Sequence, residues 1–140
     1  MSVQYTDKSA AFLEKLEAAA DVAVGYAAEY LVQGIQDTMP GQGAAVVEGT
    51  GGDTGIKGKY IASNPGQPPG VRTARLKNSI ASVKTGKKMQ RAVGTNVQYA
   101  LPLERGTQKM APRPFMSTGL EASKKGMLAQ FKRAMGRAFK

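Results

Sequence analysis

The chain of 140 residues contains no cysteine, no histidine and no tryptophan. Without cysteine it can form no disulfide, no thiolate zinc site and no thiol nucleophile. Without histidine it lacks the commonest general base and the commonest metal ligand. Glu104 and Asp53 are the most conspicuous carboxylates, and they lie in unrelated sequence contexts. These absences favour a non-enzymatic protein that needs no cofactor and no metal.

Long apolar runs are also missing. The sequence has no run of about 18 apolar residues, and the N-terminus lacks the apolar core of a signal peptide. We therefore expect no membrane span and no export by a cleaved signal, and a protein that is made and kept in the cytosol. The length suits one domain over residues 1–140, which can bury a core without disulfides or metals.

Acidic side chains are scarce in the second half of the chain. Residues 1–71 carry four basic and eight acidic side chains, whereas residues 72–140 carry sixteen basic and two acidic ones. This asymmetry points to a polyanion such as nucleic acid, to an acidic partner surface, or to a basic face that is simply solvated. Halves of opposite sign can also attract each other between copies, which would favour a head-to-tail ring.

Residues 7–38 are predicted to form one long helix, with Thr6 or Asp7 as its cap. Apolar residues recur there at spacings of three and four, which is the helical period. The middle of this stripe is mostly alanine, so another element can approach closely. Gly25 or Gly34 could bend the helix. The stripe comprises Phe12, Leu16, Ala19, Ala23, Ala27, Tyr30 and Gly34.

Residues 40–70 hold nine of the seventeen glycines and four of the seven prolines, which excludes a regular core element. We expect a long flexible loop that orders against a neighbouring subunit. Its glycine-rich part lacks the Gly-Lys-Ser/Thr ending of a phosphate-binding P-loop.

A short helix and a hairpin are predicted next. Residues 71–80 place Leu76 and Ile80 on one helical face, with Thr73 as the cap. Residues 79–85 and 89–100 alternate apolar and polar side chains around a Gly-Lys-Lys turn, which is typical of a hairpin. Its basic side chains are Lys84, Lys87, Lys88 and Arg91. The residues that can supply apolar contacts are Ile80, Val83, Val93, Val97 and Tyr99.

Residues 115–139 are predicted to form the last helix, with an apolar stripe that packs in the core and basic side chains that face solvent. Such a helix could also bind a calmodulin-like target or a membrane surface. Together these segments predict an α+β fold, in which a long N-terminal helix and a C-terminal helix pack on a small antiparallel sheet, with a long Gly/Pro-rich loop. The stripe comprises Leu120, Met127, Leu128, Phe131, Ala134, Met135 and Ala138.

The stretch YALPLERGTQKMAPRPFM, residues 99–116, is dense in turn chemistry. Pro102 suits the first turn of a short helix from which Glu104 projects, and Gly106 lets the chain turn out of it. Two prolines hold Arg113 extended between them, and Phe115 then anchors the last helix. The stretch predicts a rigid corner that aims a few charged and polar side chains, although a purely structural corner fits equally well.

This stretch resembles the signature of the head–tail joining (neck, tail-completion) proteins of tailed bacteriophages. In that family a Tyr-Ala is followed by a Glu, a Gly-Thr, a Lys/Arg-Met and an Ala-Arg-Pro-Phe-Leu-type run. The corresponding positions are Tyr99, Ala100, Glu104, Gly106, Thr107, Lys109, Met110, Arg113, Pro114 and Phe115.

The upstream stretch PPGVRTARLKNSI resembles the same family, so that the likeness covers about residues 65–120. It departs from the family pattern at Pro112, where alanine is usual, at Ala74, where glycine is usual, and at residues 101–103, where the family has a more aromatic run. The matching upstream positions are Pro68, Pro69, Gly70, Thr73, Leu76, Ser79 and Ile80.

The resemblance implies a virion protein without catalysis, assembled as a hexameric ring that completes the tail and joins it to the DNA-filled head. Its partners would be other copies of itself, the adjacent neck and tail-tube proteins, and genomic DNA in the channel, with no membrane. The residues expected at the assembly interface are Arg72, Arg75, Glu104, Arg105, Thr107, Lys109 and Arg113.

Two further hypotheses accompany this one. A small basic nucleic-acid-binding protein would use the hairpin and the last helix as its basic surface, although few aromatic residues are interleaved there for base stacking. Within the joining protein, Glu104 or Arg113 is predicted to form a charge pair, and the opposite charges of the two halves favour a pair between subunits.

Overall fold

The computed structural model describes residues 8–39, 65–69 and 74–140. The predicted cap at Thr6 or Asp7 and the predicted cap at Thr73 lie outside these residues. So does the predicted flexible loop at 40–70, apart from residues 65–69.

The described residues form four helices and one two-stranded sheet, which confirms the predicted α+β class. None of these helices is long and apolar enough to cross a membrane. In chain order the elements are α1 (Ser9–Thr38), α2 (Arg75–Ser79), β1 (Ala81–Lys84), β2 (Arg91–Gly94), α3 (Ala100–Arg105) and α4 (Met116–Ala138).

The two long helices, α1 and α4, pack antiparallel at very short range. Ile35 near the end of α1 meets Gly119 near the start of α4, while the rings of Phe12 and Phe139 meet at the opposite end. Tyr30 covers Gly126, and Gly34 faces Ser123, which is buried. Glycines at these crossing points leave no room for a side chain, so the two backbones approach as the alanine-rich stripe of α1 predicted.

The apolar stripe predicted for α4 is not its most buried face. Gly119 and Ser123 are the buried residues of this helix, whereas Leu128 is 54% exposed and Leu120 is also exposed. The prediction that these two leucines pack in the core was wrong. Hydrophobic periodicity identifies large side chains, but here the closest contact between the helices selected small ones.

The main core lies at the C-terminal end of α1 and the start of α4. Ile35 is almost fully buried there, and Phe115 is 0% exposed, which confirms its predicted role as an anchor. Short elements from the middle of the chain close this core. Its buried members are Val32, Ile35, Met39, Leu76, Ile80, Val97, Ala100 and Phe115.

The hairpin pairs β1 with β2 in antiparallel register, from Ala81 opposite Gly94 to Lys84 opposite Arg91. Val93 packs against the core from one side. Val83 is 59% exposed and Tyr99 is also exposed, so neither of these two predicted contact residues belongs to the core. The sheet has two strands and packs on α1.

Gly119→Ala should destabilise the protein, because a Cβ atom at this position would lie 2.6 Å from both Cα and Cγ1 of Ile35. Forcing an extra carbon into such a contact costs about 1–3 kcal/mol. The matched control is Gly136→Ala in the same helix, where a Cβ meets nothing within 4 Å. The control should raise stability by up to about 1 kcal/mol through helix propensity. Thermal melting that rises in both variants would contradict the close helix crossing.

Phe115→Ala should lower the free energy of unfolding by about 3 kcal/mol, because it empties a fully buried aromatic site. Phe12→Ala removes the same side chain where it is 56% exposed, and it should cost far less. Urea titration of both variants measures the difference. Equal midpoints for Phe115→Ala and the unmodified chain would place Phe115 at the surface.

Candidate functional site

The stretch that carries the resemblance folds as a compact corner between α3 and α4. The N–H of Gly106 donates to the carbonyl oxygen of Pro102 at 2.8 Å and closes α3. The N–H of Thr107 donates to Met110 at 2.8 Å, and the N–H of Arg113 donates back to Leu103 at 2.7 Å. These backbone bonds return the chain to α3 before α4 begins, so the corner predicted from the proline and glycine pattern is present.

Gly106 is required by this turn. Its φ of +76° lies in a region that side chains disfavour, and a Cβ would stand 2.8 Å from the Pro112 nitrogen and 2.9 Å from the Met110 oxygen. No other residue fits both the torsion and the space. Gly66, from the described part of the 40–70 region, donates its N–H to the carbonyl of Pro112 at 2.9 Å and so lies against the same corner.

Glu104 caps α4 from a distance. The N-cap position of α4 is Phe115, whose side chain cannot accept a hydrogen bond. Instead one oxygen of the Glu104 carboxylate accepts the N–H groups of Phe115 at 2.8 Å and Met116 at 3.0 Å, and the other accepts the N–H of Ser117 at 3.0 Å and its hydroxyl at 2.7 Å. The carboxylate thus satisfies three of the free N–H groups at the positive end of the helix.

The ionisation of Glu104 is tied to this contact. Partial burial acts to raise the pKa of the Glu104 carboxyl. Hydrogen bonds from the Ser117 hydroxyl and from the backbone N–H groups of Ser117, Phe115 and Met116 outweigh that effect and hold the pKa below its ordinary value. The charged form is therefore the one that binds the helix.

The predicted charge pair of Glu104 or Arg113 has no counterpart within the described residues. Glu104 is occupied by the start of α4, and Arg113 has no acidic side chain within ion-pairing distance there. Its Nε atom is buried without an acceptor among those residues. A pair between subunits stays a prediction. The capping role was missed, although a helix that starts at Phe115 with no capping side chain of its own was a usable signal.

The other candidate residues lie mostly on the outside. Arg75 is exposed in the first turn of α2, Arg105 is exposed at the end of α3, and Thr107 and Lys109 are exposed in the turn that follows. The corner therefore brings Arg105, Thr107 and Lys109 together on one short surface segment. Arg72 lies outside the described residues.

Ala74 occupies the position where the resembled family has glycine. Its φ is +56°, in the left-handed region. Such a conformation costs a residue with a Cβ about 1–2 kcal/mol and costs glycine almost nothing. The local backbone therefore has the shape that glycine suits, although the chain carries alanine.

A row of residues spaced by four on α1 contacts the hairpin. Glu17 pairs with Lys88 at 2.8 Å, and Asp21 pairs with Lys84 at 3.2 Å. One turn further along α1, the guanidinium of Arg91 lies over Gly25, and Glu29 accepts the hydroxyl of Ser82. We call Glu17, Asp21, Gly25 and Glu29 the α1 ladder.

The α1 ladder shows that acidic side chains of the first half and basic side chains of the second half pair within the chain. The attraction between the acidic and basic halves, predicted between copies, operates here within one chain. The hydrogen bond and the charge of Glu17 also raise the pKa of Lys88. The four-residue spacing of the ladder was visible in the sequence, but its partner could be chosen only after the hairpin had been placed.

No group of three or more acidic side chains that could hold a metal ion occurs within the described residues. An open surface cavity of about 400 Å³ lies beside α1, lined mainly by Tyr26, Glu29, Tyr30 and three glutamines. Its single carboxylate already accepts the Ser82 hydroxyl.

Glu104→Gln should destabilise the protein by about 1–2 kcal/mol at neutral pH, because it removes a charged cap at a helix N-terminus. A lowered pKa in the folded state contributes stability above the ordinary glutamate value of about 4.3, and this contribution disappears as the pH falls below it. Melting curves of the variant and the unmodified chain should therefore differ at pH 7 and converge in acid.

Glu121→Gln is the matched control for the cap, since Glu121 is exposed on α4 and pairs only with Lys124 one turn away. It should leave melting nearly unchanged at every pH. If Glu104→Gln melted like this control at pH 7, the Glu104 cap would contribute nothing to the stability of the protein.

The chain matches no protein-family model, no curated protein and no solved structure. Its function is therefore inferred from the corner, from the surfaces around it and from the resemblance of residues 65–120.

Proposed function

We propose that the chain is a non-enzymatic structural protein of a tailed phage or prophage, which forms a ring that completes the tail and joins it to the DNA-filled head. The observation that carries this proposal is the backbone at positions 74 and 106. The resembled pattern has glycine at both, and φ is positive at both here, +56° at Ala74 and +76° at Gly106. A coincidental sequence similarity would give no reason for a positive φ at both positions.

Exposed apolar side chains support an assembly role. Several large apolar residues are exposed on α1, α3 and α4, on a chain whose described core is small. Exposed apolar surface that is rimmed by polar residues marks protein interfaces. The most exposed are Phe12, Leu13, Val22, Tyr26, Leu101 and Leu128.

The corner supplies the interface residues of the proposed ring. Arg105, Thr107 and Lys109 are exposed on a backbone that is held by hydrogen bonds on both sides, and a rigid backbone lowers the entropy lost on contact. In this proposal Glu104 acts by fixing the corner, and the partly exposed Arg113 lies at the interface. Arg75, which is exposed on α2, is also proposed for the interface, as is Arg72, which lies outside the described residues. The other partners are the adjacent neck and tail-tube proteins.

A small nucleic-acid-binding protein is the second candidate. Lys125, Lys132 and Arg133 on α4 are exposed, and none of them has an acidic partner within the described part of the chain. A basic helix face of this kind attracts phosphate without sequence preference. This candidate needs no ring, so assembly distinguishes it from the first.

The decisive experiment removes the chain from the phage or prophage that encodes it and examines the particles by electron microscopy. We expect DNA-filled heads and free tails to accumulate apart, and added purified chain to restore joining in extracts. Normal joined particles in its absence would contradict the proposal. Light scattering at about 1 M salt, where the Debye length is about 3 Å, then tests whether purified chain is a defined oligomer without nucleic acid.

A matched pair of variants separates the corner from general stability. Lys109→Glu reverses a charge on the exposed turn, and Lys124→Glu does the same on α4, away from the corner. Both variants should melt like the unmodified chain, but only Lys109→Glu should fail to restore joining in extracts. If the two variants restored head–tail joining equally well, Lys109 would not be part of the interface.

A further inference from the structure

Two basic side chains of the hairpin are already paired within the chain. Lys84 and Lys88 each meet a carboxylate of the α1 ladder, and a third carboxylate, that of Glu29, accepts the hydroxyl of Ser82 on β1. A phosphate that approached the hairpin would meet these carboxylates as well. Two of the four cations of the hairpin are therefore neutralised by α1, whereas Lys87 and Arg91 have no ion pair within the described residues.

The cations of α4 have no such neutralisation. Lys124 pairs with Glu121, but the described residues give Lys125, Lys132 and Arg133 no acidic partner. The three acidic residues outside the described ranges, Asp7, Glu48 and Asp53, are fewer than the remaining α4 cations. Positive charge therefore persists on this helix whatever those three residues contact.

The place of Lys125 and Lys132 suits a long charged ligand. They are seven residues apart, so they share one face and lie about 10 Å apart along the helix. That face points away from α1, which contacts α4 through Gly119, Ser123 and Gly126. Arg137 and Lys140 stand at the C-terminal end, where the helix dipole accounts for cations, but Lys125 lies three turns before that end and has no such explanation.

We infer that the outer face of α4, through Lys125 and Lys132, is the surface of this chain that contacts the phosphate backbone of duplex DNA. This inference rests on the proposed function, which brings the chain beside packaged DNA, and it assigns that contact to α4 and not to the hairpin. Duplex DNA carries one negative charge per about 1.7 Å of its axis, so phosphates are available along the whole face.

A lipid surface is the less favoured ligand for this face. Membrane-binding helices place a continuous apolar face beside their cations. Between Lys125 and Lys132, Leu128 is the one large apolar side chain that is exposed. The contact is therefore argued as electrostatic and independent of base sequence.

The test compares two double variants of the full chain that lose the same charge. Lys125→Gln with Lys132→Gln removes the α4 contacts, and Lys84→Gln with Lys88→Gln is the matched control on the hairpin. Fluorescence anisotropy with a mixed-sequence DNA duplex, repeated over a series of salt concentrations, gives affinity and its salt dependence. The α4 variant should bind more weakly and its log–log salt slope should fall by about 2, one unit for each lost phosphate contact.

The hairpin variant should keep the slope of the unmodified chain, because its lysines face the α1 ladder and not the DNA. Equal losses in both variants would mean a net-charge effect only and would overturn the inference. No binding by the unmodified chain at low salt, or binding to anionic vesicles that exceeds binding to DNA and depends on Lys125 and Lys132, would also overturn it.

The assembly experiment keeps the two proposals distinguishable. A chain that restores head–tail joining while both double variants bind DNA alike loses this inference and keeps the proposed function. A chain that is dispensable for joining but binds DNA through Lys125 and Lys132 keeps the α4 surface, and then acts as the nucleic-acid-binding protein.

Discussion

The close crossing of α1 and α4 is the constraint on which the rest of the structure depends. Glycines at positions 34, 119 and 126 face Ser123, Ile35 and Tyr30 across the crossing, with no space for a Cβ. Because small residues occupy the contact, the large apolar residues of α4 lie to its sides, where Leu120 and Leu128 stay exposed. The same packing that fixes the helix pair therefore leaves apolar side chains exposed, and under the proposed function this surface is available to partners.

The start of α4 is fixed by two contacts of different kinds. Phe115 fills the core, and the carboxylate of Glu104 holds the first N–H groups of the helix. These contacts connect α3 to α4 across the turn at Gly106, so the exposed segment from Arg105 to Lys109 is carried on a backbone with little freedom. The resembled signature thus combines residues that build the corner with residues that face outward. Glu104 belongs to the first group, and its charge is used within the chain.

Some basic side chains pair within the chain, and others remain exposed without an acidic partner among the described residues. The α1 ladder pairs with Lys84 and Lys88 of the hairpin, while Lys125 and Lys132 on α4 keep their charge on a face that α1 does not cover. Exposed ion pairs contribute little to stability, typically up to about 1 kcal/mol each. The ladder therefore matters less for holding the hairpin than for cancelling its positive field, and this cancellation distinguishes two basic surfaces that look alike in the sequence.

The sequence by itself determined the elements: α1 from its helical period, the hairpin from alternation around Gly-Lys-Lys, and the corner from Pro102, Gly106 and the prolines beside Arg113. The spacing of apolar residues and the turn residues depend on local conformation, so they predicted the helices, strands and turns. The tertiary structure decided the partners. It exposed Val83, Tyr99 and Leu128, made Glu104 a cap, and paired Lys84 with Asp21. Burial, capping and pairing join residues far apart in the chain, and the spacing along one segment carries no information on which distant segment will face it.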